Sequence, residues 1–285
     1  MSAPHIFRSS SFSVKNSERS EKPNEDAFVA DADRGIFIVA DGITSTPAGK
    51  YPNPSGGQLA AKVFCETIHQ HLVSRSPVTV EDVDTALRLA NQEINALNCK
   101  QGRYTQANFL DVDYCATVGT VVVGIEGQAQ IWHVGDTMVV RKRGTALELL
   151  TDSQTQNVIE YRDKIKRSGA LPLRDLTVAI RRDFRNNLKA RGINGEPVGY
   201  GAFTGEPGVF DFLVRRELPL QREDVLLVMS DGFNPLVNSV LENAERTAWF
   251  CRRLEQSDAI DWLIQENQAL ESRSDDKTVI VIRIK

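Results

Sequence analysis

Apolar residues fill the stretch 35–42, Gly-Ile-Phe-Ile-Val-Ala-Asp-Gly, until it stops on a carboxylate and a glycine. An unbroken apolar run of this length predicts a buried strand. A strand buried on both faces holds whatever lies at its end still, so Asp41 is a charge delivered to the rim of a core. Gly42 has no Cβ, and its backbone can approach a ligand closely. The construction recurs at 225–232, Val-Leu-Leu-Val-Met-Ser-Asp-Gly, with Asp231 in the place of Asp41. Asp-Gly is also a strong hairpin signal. Here, however, neither copy leads into a second alternating strand. Asp41 is followed by a loop rich in Pro, Gly, Ser and Thr, and Asp231 by Phe-Asn-Pro-Leu-Val.

The remaining pattern supplies the layers. Residues 9–15 alternate weakly and predict a first strand. Asp33-Arg34-Gly35 turns the chain between the strand that opens near Ala27 and the run 35–42, which predicts a hairpin. The loop 43–57 carries three prolines and three glycines and is a candidate for partner contact. Leu59, Ala60, Val63, Phe64, Ile68 and Leu72 form a helical stripe over 55–73. Thr79 and Asp82 form a capping-box-like start for a second helix, with Val83, Ala86, Leu87, Ala90, Ile94 and Leu97 as its stripe. Both helices read as one face of a sandwich. From Cys115 the period changes: 117–125, 129–134, 139–140 and 147–150 predict short strands joined by tight turns, an antiparallel meander. Asp136 falls at a Gly-Asp-Thr break inside it, where a bulge or turn is the simplest reading.

Residues 151–205 are the least legible: a short helix over 158–167, then a mix of Arg, Asp and apolar residues, then five glycines. The basic residues Arg181, Arg182, Arg185, Lys189 and Arg191 read as a solvated helix face, with docking of an acidic or phosphorylated partner as the alternative. Strand character returns at 209–214 and 225–229. Two C-terminal helices follow, with apolar positions at Trp249, Phe250, Leu254 and at Ile260, Leu263, Ile264, the second capped by Ser257-Asp258. A last strand closes the chain behind Asp275-Asp276. With no repeat or linker, 1–285 reads as one α+β domain of two sheets with helices outside.

Composition narrows the partners. The 285 residues are 41% hydrophobic and 25% charged with net charge −4, which gives no reason to expect nucleic acid or an anionic membrane. No apolar run approaches the ~20 residues of a membrane span, and the N-terminus shows no secretory h-region. Cys65, Cys99, Cys115 and Cys251 form no C-x-x-C pair and sit in apolar-patterned segments, which predicts reduced core thiols and a cytoplasmic location. His69 and His71 are two apart and cannot share a helix face, so a zinc cluster is not expected.

The acids at strand ends carry the chemistry: Glu25, Asp26, Asp41, Asp136, Asp231, Asp275 and Asp276. Each alone reads as a solvated rim; seven at similar junctions do not. If the strands are neighbours the carboxylates converge, and each pair repels by about 4 kcal/mol at about 4 Å and an effective dielectric of about 20. Such a cluster persists only with protons or cations. Oxygen-only ligands select hard ions, Mg²⁺ or Mn²⁺. Two ions ~3.5–4 Å apart, bridged by one carboxylate, activate a water and clamp a phosphoryl group, so the reading is metal-assisted phosphoester hydrolysis.

Six pieces, in order along the chain, carry a family resemblance: Asn24-Glu25-Asp26-Ala27, Val39-Ala40-Asp41-Gly42, Gly56-Gly57 with Ala60-Ala61, Val134-Gly135-Asp136-Thr137, Ser230-Asp231-Gly232 and Ser274-Asp275-Asp276-Lys277-Thr278-Val279. The chain resembles the type 2C protein phosphatases, the Mg²⁺/Mn²⁺-dependent serine/threonine phosphatases. The resemblance implies a four-layer α-β-β-α sandwich of two antiparallel sheets, with the metals between the sheets at one end. It implies that Asp41 bridges two ions, that Gly42 offers its carbonyl, that Asp231 and Asp275 complete the second site, and that Glu25 and Asp26 act through waters. Asp136, with Asp231, holds a weaker third ion. Asp275 is preferred to Asp276, which takes the place of the family's Asn. The nucleophile is then a metal-bridging water, and the substrate is phosphoserine or phosphothreonine in a protein.

Three departures accompany it. The Arg that many members carry five residues before the first motif's Asp is Glu21 here, leaving Lys22 or Arg19 as candidates to grip the substrate phosphate. The His that often follows the first Asp-Gly is Ile43, as in the bacterial branch. The loop 43–54 and the flap-like insertion 151–205 match no family pattern. Two alternatives are carried: a catalytically weak phosphatase-like module that binds phosphoproteins or partners, and hydrolysis of a small phosphate ester.

Overall fold

The computed structural model describes residues 7–16, 21–45, 51–269 and 275–285. The strands are β1 (Phe7–Val14), β2 (Ala27–Asp31), β3 (Ile36–Gly42), β4 (Thr117–Ile125), β5 (Gln128–Val134), β6 (Met138–Arg143), β7 (Ala146–Leu149), β8 (Val214–Pro219), β9 (Val225–Met229) and β10 (Lys277–Ile284). The helices are α1 (Gly56–Val73), α2 (Val80–Lys100), a single turn α3 (Arg103–Gln106), α4 (Gln156–Ser168), α5 (Leu173–Ala179), α6 (Asn234–Leu241), α7 (Ala244–Leu254) and α8 (Ala259–Ala269). Two antiparallel sheets result, ordered β1-β10-β9-β6-β7 and β2-β3-β4-β5-β8.

Double-sided packing explains the continuous apolar run of β3. Ile36, Ile38 and Ala40 pack under α1 and α2, while Phe37 and Val39 pack against the other sheet. β9 does the same: Val225, Leu227 and Met229 face α6, α7 and α8, and Leu226 and Val228 face inward. Side chains alternate across a strand, so a strand between two cores has no polar face to show. The layers are therefore helices, sheet, sheet and helices.

Local signals set the helix starts. The Ser55 hydroxyl accepts from Gln58 N at 3.1 Å to cap α1, and Thr79 and Asp82 form a full capping box on α2. β2 and β3 form the expected hairpin, with Gly35 at φ +66° in its turn.

The structure corrects five expectations. The meander is split: β4 and β5 pair in one sheet, while β6 pairs with β9 and β7 in the other. The break at Gly135-Asp136 is thus a crossing between sheets, because period-2 patterning reports burial but not which sheet a strand joins. The strand placed at 209–214 begins only at Val214, since Pro207–Asp211 is a 3₁₀ turn. Helix α6, directly behind Asp231-Gly232, is additional, with Pro235 in its first turn where a missing N–H costs nothing. Cys99 is exposed, whereas Cys65, Cys115 and Cys251 are buried; all four are free thiols. None of the described helices is long and apolar enough to cross a membrane.

The basic residues of 151–205 are not a uniformly solvated face. Arg185 is buried and forks onto Asp113, with Nη1 to Oδ2 at 3.1 Å and Nη2 to Oδ1 at 2.8 Å. Arg181 donates to the carbonyls of Thr44, at 3.0 Å, and Phe109, at 3.2 Å. Arg182 and Lys189 remain exposed. The insertion has its own small core of Val158, Tyr161, Ile165, Leu176, Phe184, Val198 and Tyr200.

Candidate metal centre

Both sheets bring acids to one end. Asp41 lies inside β3, which continues through Gly42 opposite Thr117, so this Asp-Gly is a strand end and not a hairpin. The Asp41 carbonyl accepts from Thr117 Oγ1 at 2.7 Å. Gly42 N donates to the Glu25 carbonyl at 3.1 Å, and any Cβ on Gly42 would overlap the Gly57 backbone. The glycine therefore admits the N-terminus of α1. Asp231 opens a 3₁₀ turn behind β9, and a Cβ on Gly232 would overlap the Asp276 carbonyl. At both sites the residue after the Asp is small because another backbone crosses it.

The remaining acids come from the same end. Asp26 precedes β2, and its N–H donates to Asn24 Oδ1 at 3.0 Å. Asp136 sits at the crossing between sheets, where Thr155 Oγ1 donates to its Oδ2 at 2.9 Å. Asp275 precedes β10 and accepts from the backbone N–H of Asp276 at 2.9 Å.

Electrostatics shows that these five carboxylates share one space. Burial pushes Asp26 up to about 7, with Asp276 and Asp275 adding to the rise. Burial also raises Asp41 well above the ordinary carboxylate range, reinforced by Asp26, Asp231, Asp136 and Asp275. Asp231 is raised well above that range by burial and then by Asp136, Asp275 and Asp26. Burial, with a small addition from Asp275, raises Asp136. Asp26, Asp41, Asp136 and Asp231 thus each ask for a proton or a cation.

Among the described residues, no three Asp, Glu, His or Cys side chains are closed around one point as a finished ion site. Mutual repulsion is reason enough for carboxylates to stand apart. The donor set nevertheless suits a hard cation. Both Asp26 oxygens and Asp231 Oδ1 are buried without a hydrogen-bond partner. The neighbouring Ser230 and Thr278 hydroxyls lie close enough to temper the rise at Asp26, but their hydrogen bonds go to the Asp276 carbonyl, at 3.5 Å, and to Ser13 Oγ, at 2.7 Å. Orphaned carboxylate oxygens with no nitrogen or sulfur among them fit Mg²⁺ or Mn²⁺.

Three further residues singled out in the sequence, Glu25, Asp276 and Lys22, are held by protein partners beside this cluster. Glu25 is fully buried, and its carboxylate accepts from Thr44 Oγ1 at 2.5 Å and from Ser55 Oγ. It ties the loop after Gly42 to the cap of α1. Asp276 is likewise occupied by the backbone N–H groups of Asn16, at 2.7 Å, and Glu25, at 2.9 Å. Lys22, expected to grip phosphate, is buried among Glu25, Asp275 and Asp276. Burial alone would lower its pKa, and the three carboxylates more than reverse that, so the amine stays charged. Arg19 lies outside the described residues.

Thr155 escaped sequence reasoning. It stands at the N-cap of α4 but makes no capping hydrogen bond; its hydroxyl is turned instead toward Asp136, to which it donates, and Ser153 Oγ, at 3.1 Å. A polar stretch before a helix signals a cap; it carries no sign that the cap faces a remote acid.

Two antiparallel sheets whose carboxylates, most of them shielded from solvent, crowd one edge with oxygen donors only define a metal-dependent hydrolase of phosphate esters. The chain belongs to the protein phosphatase 2C family, whose family model matches residues 15–270. Among solved structures, it is similar to the Mycobacterium tuberculosis serine/threonine phosphatase PstP/Ppp (20% identity, TM-score 0.62, 98% of each chain covered). The catalytic domain of PstP in complex with two manganese ions matches at 19% identity and TM-score 0.63, over 98% of this chain and 99% of that one. The phosphatase Stp1 from Staphylococcus aureus matches at 16% identity and TM-score 0.64, over 100% and 98%. At these identities the likeness speaks for the fold. No curated protein sequence matches the chain. As a member of the family, the protein is a metal-dependent serine/threonine protein phosphatase.

Proposed function

We propose that Asp26, Asp41, Asp136, Asp231 and Asp275, with the Gly42 carbonyl, hold two Mn²⁺ or Mg²⁺ ions and a weaker third, and that phosphoserine and phosphothreonine of cytoplasmic proteins are hydrolysed there. The orphaned oxygens of Asp26 and Asp231 carry this reading. When bound, the ions lower the pKa of water and neutralise phosphate charge. The chain supplies position. β3 and β9, each packed on both faces, fix Asp41 and Asp231 on opposite sheets. Thr155 orients Asp136, and Asn24 orients the backbone that carries Asp26. One catalytic domain with 151–205 as its flap accounts for the whole chain. Arg181 ties that flap to the Thr44 carbonyl, two residues beyond Gly42.

The test is hydrolysis of a phosphothreonine peptide with Mn²⁺, compared with chelated protein and with Asp231→Asn. Turnover is expected to fall at least a hundredfold in both comparisons; equal rates in all three would refute the assignment.

A further inference from the structure

The Lys22 ammonium stands 3.2 Å from Glu25 Oε2, 3.2 Å from Asp276 Oδ2 and 3.4 Å from Asp275 Oδ1. Its side chain is 5% exposed, so little water shares the charge. A lysine ammonium is a compact, strongly hydrated charge with three donors, and burying it is unfavourable unless each donor is met. Here three carboxylates surround the ammonium, and it donates a hydrogen bond to Asp275 Oδ1.

The partners are not equivalent. Glu25 is engaged by Thr44 and Ser55, and Asp276 by the backbone of Asn16 and Glu25. These two are structural anchors. Asp275 is 52% exposed, and its charge reaches Asp26, Asp41, Asp136 and Asp231. Lys22 therefore joins a fixed scaffold to the most accessible acid of the metal centre. Among the described residues, its ion pair is the one that connects a side-chain cation to these five carboxylates. The phosphate-gripping role expected for a basic residue here is closed to it, because its ammonium is buried among three carboxylates.

We propose that Lys22 is a built-in counter-ion of the metal centre: its ammonium holds Asp275 in place and offsets part of the cluster's charge while no divalent ion is bound, and it opposes the ion that Asp275 takes. The inference rests on the reading that the cluster binds divalent ions. It has two consequences. The metal-free protein tolerates its crowded acids better than five free carboxylates would allow. Divalent ions bind more weakly than the acids alone would bind them, so occupancy follows the free-ion concentration and is not saturated at trace levels.

The experiment titrates Mn²⁺ into native protein, Lys22→Met, Lys22→Gln and Lys22→Arg by calorimetry, with thermal midpoints measured in chelator and in saturating Mn²⁺. Both neutral variants are expected to bind Mn²⁺ at least tenfold more tightly, to melt lower than native in chelator, and to gain more on adding Mn²⁺. Lys22→Arg keeps the charge and is expected to stay within threefold of native affinity. Adding Asp275→Asn to Lys22→Met is expected to remove the tighter binding, because the two residues act on one ion. Unchanged or weaker Mn²⁺ affinity in the neutral variants overturns the proposal, whatever their stability. Neutral variants that fold only with Mn²⁺ support it, since the ion then replaces the ammonium; variants that fold in neither condition overturn it. Absence of Mn²⁺ binding by the native protein would instead refute the metal centre itself.

Discussion

At the scale of single residues, burial decides which polar groups are available for chemistry. His133 is buried 3.0 Å from Thr120 Oγ1 through Nδ1 and 3.2 Å from the Asp152 carbonyl through Nε2. The ring is neutral, with Nε2 donating to Asp152 and Nδ1 accepting from Thr120. Burial pushes it down to about 4. The unfolded chain takes up this proton near pH 6.5, and the folded one only near pH 4. Stability is therefore present above about pH 6.5 and lost as pH falls through that window, by up to about 3 kcal/mol. The stability advantage of native protein over His133→Gln, measured by urea unfolding, is expected to shrink by about that amount between about pH 7 and about pH 4.

The residue types at strand ends are legible in the sequence, but their allegiances are not. Asp26 and Glu25 are neighbours along the chain, yet one carboxylate stands unpartnered beside the other acids and the other is held by two hydroxyls. Alternation along the chain sends adjacent side chains opposite ways; the positions of Thr44 and Ser55, nineteen and thirty residues downstream, decide which of them is engaged.

At the scale of elements, the apolar runs and capping boxes translated directly into strands and helices, because their signals are local. What failed was partnership: β5 and β6 are consecutive but lie in different sheets. The insertion failed for a related reason. Its basic residues look alike in sequence, but Arg185 is buried because Asp113, seventy-two positions away, waits for it. Removing one partner of such a pair leaves an uncompensated buried charge. Asp113→Ala is expected to cost about 3–5 kcal/mol in denaturant unfolding. The damage is expected to concentrate in the insertion, read as faster amide exchange over 156–200 than over β3 and β9.

At the scale of the whole molecule, the apolar layer between the sheets, built from Phe37, Val39, Leu226, Val228, Ile280 and Ile282, runs along their length. It stops where the acids begin. Asp26 and Asp41 belong to one sheet, Asp231 and Asp275 to the other, and Asp136 to the crossing. Without cations these charges repel across the seam. In chelator, the ends of β3 and β9 nearest Asp41 and Asp231 are expected to exchange amide protons at least tenfold faster than with saturating Mn²⁺, while the opposite ends stay unchanged. Equal exchange along both strands would count against a cluster that spans the sheets.

The jaw-like placement of acids on two separate sheets has a mechanical implication. Double-sided packing leaves β3 and β9 no freedom to shift Asp41 or Asp231 singly, so the gap they span widens or narrows only as the slabs pivot about their shared hydrocarbon filling. A substitution deep in that filling, far from any ligand, would then change the spacing between the ions and be felt as altered chemistry before it registers as lost stability.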